Sequence, residues 1–248
     1  MRRYSTFIFI AGAFVAVSGL TYFIHYLIFR DVHHIFIYMI GDLAFLPLEV
    51  FIVVIVIERV LAGREKRAIL QKLNMVVGAF FSEVGTELLH RLLRSFEKSR
   101  EISERLCVVQ NWTHLDYKKA IAFASTLEDK PHCFNIDLAE LRAFLIEKRR
   151  FLLALLENPN LLEHEGFTNL LWATFHLVEE LEARPLMENL PEADLEHIAG
   201  DIKRVYGHLA AEWVSYAEHL QSNYPFLFSL VVRTHPFQPH PSPVITQV

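Results

Sequence analysis

Histidine and carboxylate side chains recur at helical spacing in two stretches of the chain, and together they could hold a metal ion. The first stretch contains Glu83, Glu87 and His90, with the Glu-x-x-His spacing that di-iron carboxylate bundles use. The second contains His208 and Glu212, an i, i+4 pair that could bind one metal from a single helix. These five residues form a candidate transition-metal site, in a helical bundle with a redox or sensor role.

His208 and Glu212 belong to a wider polar stripe on the last long predicted helix, next to the apolar side of that helix. At 100° per residue the stripe is about 80° wide, and it comprises His197, Asp201, Arg204, His208, Glu212, Ser215 and His219. His176 and Glu180 also have ligand spacing, but a helical wheel places His176 nearly opposite the apolar residues of its own helix, which argues against it as a ligand. A ferritin-like site needs two Glu-x-x-His motifs and this set has one, so the sequence favours a solvated helix border.

Other kinds of chemistry have less support. The sequence contains no glycine-rich phosphate loop, Walker motif or Gly-x-Ser-x-Gly elbow, and it leaves a Ser-His-Asp triad open without pointing to one. Cys107 and Cys133 lack metal-ligand spacing and are predicted to be reduced thiols. The net charge of −5, without a basic patch interleaved with aromatics, argues against nucleic acid as a partner. Whether the chain is an enzyme stays undecided.

Two apolar runs predict a transmembrane hairpin over residues 1–60. Residues 7–29 and 35–57 each reach the roughly 20 residues that a helix needs to cross a bilayer, and residues 30–34 would link them. The flanking cations predict an inner-membrane protein with both termini in the cytoplasm; they are Arg2, Arg3, Arg59, Arg64, Lys66 and Arg67. A cleaved signal peptide is the alternative, which the length of the first run and the second run behind it disfavour.

Three ionisable side chains fall inside the predicted hairpin, where charge is costly. Asp42 and Glu49 are seven residues apart and share one face of the second helix, with Pro47 between them. His25 lies at a depth in the first helix that could approach Asp42. Two helices offer little interior, so these groups predict a homo-oligomer. We favour polar contacts between helices over a small oligomeric ion or proton channel through Asp42 and Glu49.

The rest of the chain predicts a cytoplasmic helical bundle over residues 61–234, so the fold class is all-α. Asp116 follows Thr113, and Glu140 follows Asp137, at capping-box spacing, which starts two of the helices. The expected helices cover about 64–96, 113–125, 138–156, 161–182 and 191–221, followed by a short apolar segment over 226–232. The proline-rich residues 235–248 are predicted to be a disordered tail.

Three segments of the sequence resemble a family of uncharacterised prokaryotic membrane proteins: Gly41–Val50, Leu73–Leu89 and Tyr224–Phe237. The resemblance implies two N-terminal transmembrane helices followed by a helical cytoplasmic domain, and it implies no activity. The leading functional hypothesis is therefore a non-enzymatic, membrane-anchored interaction or signalling module with a cytoplasmic protein partner. The metal-binding bundle and the channel are its alternatives.

Overall fold

A computed structural model describes residues 2–159, 161 and 164–244, which form an all-α protein with no β-sheet in that part of the chain. The predicted fold class is confirmed. The chain divides into two compact units between Glu65 and Lys66. The α-helices are α1 (Arg2–Phe29), α2 (Val32–Phe80), α3 (Thr86–Leu93), α4 (Ser99–Leu106), α5 (His114–Ser125), α6 (Leu138–Leu156), α7 (Glu165–Ala183), α8 (Glu192–Asn223) and α9 (Pro225–Thr234).

In the first unit, two residues rather than the predicted five join α1 to α2. Arg30 has a φ of 51°, and its N–H donates to a carbonyl oxygen of the last turn of α1, which ends that helix. Asp31 Oδ1 accepts hydrogen bonds from the backbone N–H groups of His33 (2.9 Å) and His34 (3.3 Å). This N-cap draws both histidines into the first turn of α2.

The first unit contains two apolar helical segments that are long enough to cross a membrane, Gly12–Phe29 and Val32–Arg64. Neither segment is buried inside the structure, and the large apolar side chains described in them face outward. A water-soluble domain normally encloses such side chains in its core. By length and composition both segments qualify as membrane spans, and a signal sequence near the N-terminus would meet the same test.

The second unit is built around α8. This 32-residue helix packs against α3, α5, α7 and α9, while α6 packs against α7. The side of α8 that faces these helices is apolar and fully enclosed, and it includes Ile198, Ile202, Val205, Leu209, Trp213 and Leu220. Burial of these side chains, at roughly 25 cal/mol per Å² of apolar surface, stabilises the bundle. It also fixes which flanks of α7 and α8 meet.

A π-helical turn, Phe81–Gly85, follows α2 where the sequence predicts an uninterrupted helix. Phe81 of this turn is buried and stacks on Tyr216 of α8 with ring centroids 5.5 Å apart. A Cβ on Gly85 would lie 2.8 Å from Phe80 Cε1, and a Cβ on Gly78 would lie 2.8 Å from the Tyr216 hydroxyl oxygen. Both glycines are therefore required for close packing of the rings.

Both predicted helix-start signals are confirmed. Thr113 and Asp116 form a capping box at α5, in which the Thr113 N–H donates to Asp116 Oδ2 over 2.8 Å. Asp137 caps α6 by accepting from the N–H of Glu140 over 2.9 Å, while the Glu140 carboxylate pairs with Arg91 over 2.7 Å. Because capping is local, the sequence locates these helix ends well.

Two features of the second unit differ from the sequence predictions. Helix α4 was not predicted, because its eight residues are mostly polar and only two of them are buried. The tail predicted to be disordered from residue 235 is wrong at its beginning, since His235 and Phe237 are buried against Trp213. The prolines that suggested disorder instead break the helix and let these two side chains turn back onto the bundle. Residues 245–248 lie outside the described part of the chain.

Candidate metal centre

Three of the five predicted metal ligands lie on the exposed side of the π turn and α3. Glu87 pairs with Arg91 over 2.6 Å, and Glu83 lies 3.9 Å from the Lys148 amine. His90 is exposed one turn from Arg94. Each carboxylate already has a cation as its partner, and exposed pairs of this kind are ordinary features of helix surfaces.

The other two predicted ligands, on α8, have different neighbours. His208 lines an open cleft with Lys203 and Arg204, and burial together with the Arg204 charge lowers its imidazole pKa. Glu212 faces His164, whose Nε2 lies 3.9 Å from the carboxylate. In the described part of the chain, none of the five residues belongs to a group of three or more ligand atoms within 4.8 Å of one another. The structure does not assemble this site.

The structure instead brings together His176 of α7 with His197 and Asp201 of α8, and their ligand atoms all lie within 4.8 Å of one another. The Nε2 atoms of His176 and His197 lie 3.6 Å and 3.5 Å from Asp201 Oδ2. The helical wheel argued against His176 as a ligand, whereas the structure places it in this group of possible ligands. A wheel drawn for α7 alone ranks its sides by apolarity, whereas the edge that meets α8 is set by the packing of both helices.

Glu180, one turn after His176 on α7, completes a set of four side chains. Its carboxylate oxygens lie 3.9 Å from His176 Nε2 and 3.6 Å from His197 Nε2. Each helix thus contributes a histidine and an acid at i, i+4, which places both side chains of a pair on the same face. The four residues His176, Glu180, His197 and Asp201 are called the four-residue cluster below.

The spacing within the four-residue cluster matches a metal site better than a hydrogen-bonded network. The imidazole–carboxylate separations of 3.5–3.9 Å exceed the 2.7–3.2 Å of good N–H···O bonds. Ligands about 2.0–2.2 Å from a tetrahedral zinc ion are separated from one another by about 3.3–3.6 Å. The two separations from Asp201 Oδ2, 3.5 and 3.6 Å, match those edges, while Glu180 lies beside the group of three ligand atoms that are all within 4.8 Å of one another.

The environment of Asp201 also fits a cation site. Its side chain is 3% exposed, and Oδ2, the oxygen between the two imidazoles, has no hydrogen-bond partner among the described residues. The other oxygen, Oδ1, accepts a hydrogen bond from Arg204 over 2.6 Å. A buried carboxylate oxygen without a partner is costly, so its position suits a bound cation.

Arg184 orients Glu180 and ties the two helices together. Its guanidinium donates to Glu180 Oε2 over 2.8 Å and to both carboxylate oxygens of Asp194, over 2.6 Å and 2.9 Å. The hydrogen bonds from Arg184 lower the pKa of the Glu180 and Asp194 carboxyl groups, so both remain anionic. The connection between α7 and α8 contains Asn189 with φ of 56°, a conformation that asparagine tolerates.

Two imidazoles and two carboxylates are ligands that suit zinc and similar divalent transition metals. Magnesium and calcium suit this set less well, because they take oxygen ligands. Both imidazoles are about half exposed, so an ion can reach the cluster from solvent. The residues therefore fit a mononuclear transition-metal site at the border between α7 and α8.

In the first unit, Asp42 and Glu49 line one recess with Tyr22 of α1. Both carboxylate residues are exposed and therefore available for contacts outside the chain. The His25 ring is tilted by 46° against both Phe29 and His34, with ring centroids 4.7 Å and 5.8 Å away. Among the described residues no ion pair joins His25 to Asp42, so the suggested approach between them is not observed.

The structure defines an all-α protein in which two apolar N-terminal helices precede a helical domain that carries a histidine–carboxylate cluster. Residues 2–61 match the MJ1433 N-terminal helical domain, and residues 69–233 match the C-terminal helical domain of Uncharacterized protein MJ1433. The chain therefore belongs to the MJ1433 family, which confirms the helical two-part architecture that the resemblance implied.

The full chain is similar to one relative over nearly its whole length. It is 43% identical over 236 residues to Uncharacterized protein MJ1433 of Methanocaldococcus jannaschii, across 95% of this chain and 94% of that protein. No solved structure matches the chain significantly. Neither the family description nor the relative's name states an activity.

Proposed function

We propose that this protein is a membrane-anchored helical module whose C-terminal bundle binds one divalent transition metal, of the zinc class, through the four-residue cluster. The observation that carries the proposal is Asp201 Oδ2, a buried oxygen without a hydrogen-bond partner that faces two imidazoles at 3.5 and 3.6 Å. A metal ion at that point would satisfy the oxygen and neutralise part of the cluster's negative charge.

The metal would act on the connection between the helices rather than on a substrate. Its ligands come from the last turns of α7 and the first turns of α8, so an ion would fasten the two helix ends together. A groove lined by Phe134, Ile136, Met187 and Leu190 adjoins this connection and offers a surface for a protein partner. We therefore prefer a metal-dependent interaction or signalling role to an enzymatic one.

The test of metal binding is elemental analysis of the detergent-purified protein, followed by equilibrium dialysis against Zn²⁺. We expect about one ion per chain in the parent and none in a His176→Ala/His197→Ala variant. The matched control is Glu87→Ala/His208→Ala, which removes two residues of the set predicted from sequence and should retain the ion. Equal loss of metal in both variants, or no metal in the parent after dialysis, contradicts the proposal.

The proposed membrane anchor is the α1–α2 hairpin. Two apolar segments of sufficient length, with their described side chains exposed, support it. The distribution of Lys and Arg supports a location in the inner membrane with both termini in the cytoplasm. Exposed Asp42 and Glu49 support a homo-oligomer, because in lipid these groups need polar partners from another chain.

The anchor can be tested separately from the metal. After alkaline extraction of membranes, the full-length chain should remain in the membrane fraction at the mass of the uncleaved sequence. In a Cys107→Ala/Cys133→Ala background, a membrane-impermeant thiol reagent should label Val32→Cys from the outside and leave Ser242→Cys unlabelled. Release of a shortened protein into the soluble fraction would instead identify a cleaved signal peptide.

The oligomer has its own test. We expect the parent to elute in detergent at a multiple of its chain mass, and Asp42→Leu/Glu49→Leu to shift toward the monomer, because polar contacts between helices are lost. Conductance of ions or protons in liposomes that disappears in Asp42→Asn would favour the channel alternative over simple helix contacts.

A further inference from the structure

Helix α9 presents an apolar face that the bundle leaves uncovered. Phe228 and Val232 are buried against the rest of the second unit, where α9 packs on α8. On its other side, Phe226 is 73% exposed, and Leu227 and Leu230 are also exposed. The helix therefore has two apolar faces, one packed in the core and one exposed.

The chemistry of the exposed face matches a lipid surface. Arg233 is the one charged residue of α9, and its guanidinium folds back to donate to the carbonyl oxygens of Ser229 and Pro243. Phe226, Leu227 and Leu230 offer no hydrogen-bonding groups, so a partner needs no polar groups to match them. Tyr224, at the N-cap of α9, is exposed and has the amphipathic ring that is enriched at membrane–water interfaces.

Another exposed apolar region of the second unit lacks this character. Phe134 and Leu186 are also largely exposed. Phe134 lines the groove beside the α7–α8 connection, Leu186 directly precedes Met187 of that groove in the sequence, and acidic side chains also line the groove. These are Asp137, Glu188 and Glu192. Anionic lipid headgroups would repel these acidic side chains, so the groove suits a lipid surface less well than the uncharged face of α9 does.

We propose that the exposed face of α9 inserts into the interfacial layer of a lipid bilayer. The inference rests on the proposed membrane anchor, because three apolar side chains on a ten-residue helix bind lipid weakly when the helix is free in solution. A membrane-spanning hairpin in the same chain would keep α9 near the bilayer, which raises the effective lipid concentration at α9. The α9 contact would then hold the bundle at the membrane surface.

The experiment uses the full-length protein in phosphatidylcholine nanodiscs. Phe226→Cys, in the Cys107→Ala/Cys133→Ala background, is labelled with the fluorophore bimane, and Leu186→Cys with the same label is the matched control for an exposed apolar side chain. Discs are prepared with and without a lipid that carries a nitroxide near the headgroup end of its acyl chain. We expect roughly two-fold quenching at position 226 and none at position 186, because only the former lies within the interfacial layer.

Absence of quenching at position 226, confirmed at Leu227→Cys, overturns the inference. A blue-shifted emission at 226 without quenching would also overturn it, since it would indicate a protein surface, such as a second copy of the chain, in place of lipid. A protein that fails to enter the discs and stays in the aqueous fraction refutes the membrane anchor itself, and with it the inference. The elution position of the nanodisc fraction distinguishes this last outcome from the other two.

Discussion

Asp201 and Glu212 lie about three turns apart on α8, and each carboxylate is largely buried beside a histidine, His176 of α7 or His164 at its N-cap. Their surroundings nevertheless differ. Arg204 donates to Asp201 over 2.6 Å, whereas no lysine or arginine pairs with Glu212 among the described residues. Burial raises the pKa of the Glu212 carboxyl to about 7. Arg204 gives Asp201 a cationic partner that Glu212 lacks, and burial favours the protonated form of Glu212.

This difference explains which carboxylate suits a metal. A carboxyl group must be ionised to bind a cation, and binding to a protonated group costs the removal of that proton. His164 matches Glu212 in this respect, since burial lowers its imidazole pKa and favours its neutral form. Burial thus favours the uncharged forms of Glu212 and His164, while Asp201 and Glu180 each accept a hydrogen bond from an arginine. Helical spacing alone cannot reveal this contrast.

The largest expected effect is on metal affinity. Asp201→Asn removes the anionic oxygen between the two imidazoles, so we expect Zn²⁺ affinity to fall by on the order of 100-fold or more. Glu212→Gln should leave the affinity unchanged, because this carboxyl faces only His164. Competition with a chromophoric chelator measures both variants. Equal affinities in the two variants would remove the distinction between the carboxylates.

The next effect is the pH dependence of stability caused by Glu212. Its pKa is raised from 4.5 to about 7 in the folded protein, so the folded state retains a proton that the unfolded state releases. The contribution of this group is fully present below pH 4.5, and it declines as the pH rises toward and through 7. By pH 8 the loss amounts to at most about 3 kcal/mol.

Glu212→Gln removes this titration without removing the side chain. Thermal unfolding of the metal-free protein in detergent should show a variant that gains stability relative to the parent as the pH is raised from about 5 to about 8. The Asp201→Asn variant serves as the reference for a buried carboxylate with a cationic partner. A difference between parent and Glu212→Gln that stays constant over this range would show that Glu212 is ionised throughout.

A smaller effect concerns the space around the two carboxylates. A Cβ on Gly166 would overlap Glu212 Oε1, whereas a Cβ on Gly200, next to Asp201, meets nothing within 4 Å. We expect Gly166→Ala to destabilise the bundle by about 1–3 kcal/mol through overpacking. Gly200→Ala should stabilise it by about 0.5–1 kcal/mol, because alanine is a better helix former. Thermal melts that rank the two variants in the reverse order would contradict the packing described for Glu212.

The smallest effect on stability is expected at Glu87, an exposed acid among the five metal ligands that the sequence predicts. Glu87 pairs with Arg91, but it is half exposed and Arg91 keeps a second partner in Glu140. Glu87→Gln should change stability by less than about 0.5 kcal/mol and should leave the Zn²⁺ stoichiometry intact. A measurable drop in bound metal would return Glu87 to the list of ligands.

The sequence predicts the helices well where their signals are local. The capping residues Thr113 and Asp137 locate the starts of α5 and α6, and the apolar periodicity identifies the buried side of α8. The π turn and the folded-back His235 were missed, because both depend on contacts with α8 that are distant in sequence. Tertiary packing decided these positions against the local pattern.

Two of the four residues in the four-residue cluster could be predicted from the sequence. His197 and Asp201 are in the predicted polar stripe, but their partners His176 and Glu180 belong to another helix. One sequence signal could have predicted that the two pairs meet. A short connection makes α7 and α8 antiparallel neighbours, and the i, i+4 pair of each helix lies close to that connection. The charge state of Glu212, in contrast, depends on burial and on missing cations, which only the folded structure reveals.

Anomalous diffraction from crystals of the zinc-loaded protein tests the central claim most directly. Data collected on either side of the zinc absorption edge should show one strong peak per chain, about 2.0–2.2 Å from Asp201 Oδ2 and from the Nε2 atoms of His176 and His197. A Glu180 oxygen should complete the coordination. A peak beside Glu87, His90 or His208, or no ordered peak in the second unit, would contradict the assignment of the four-residue cluster as the metal centre.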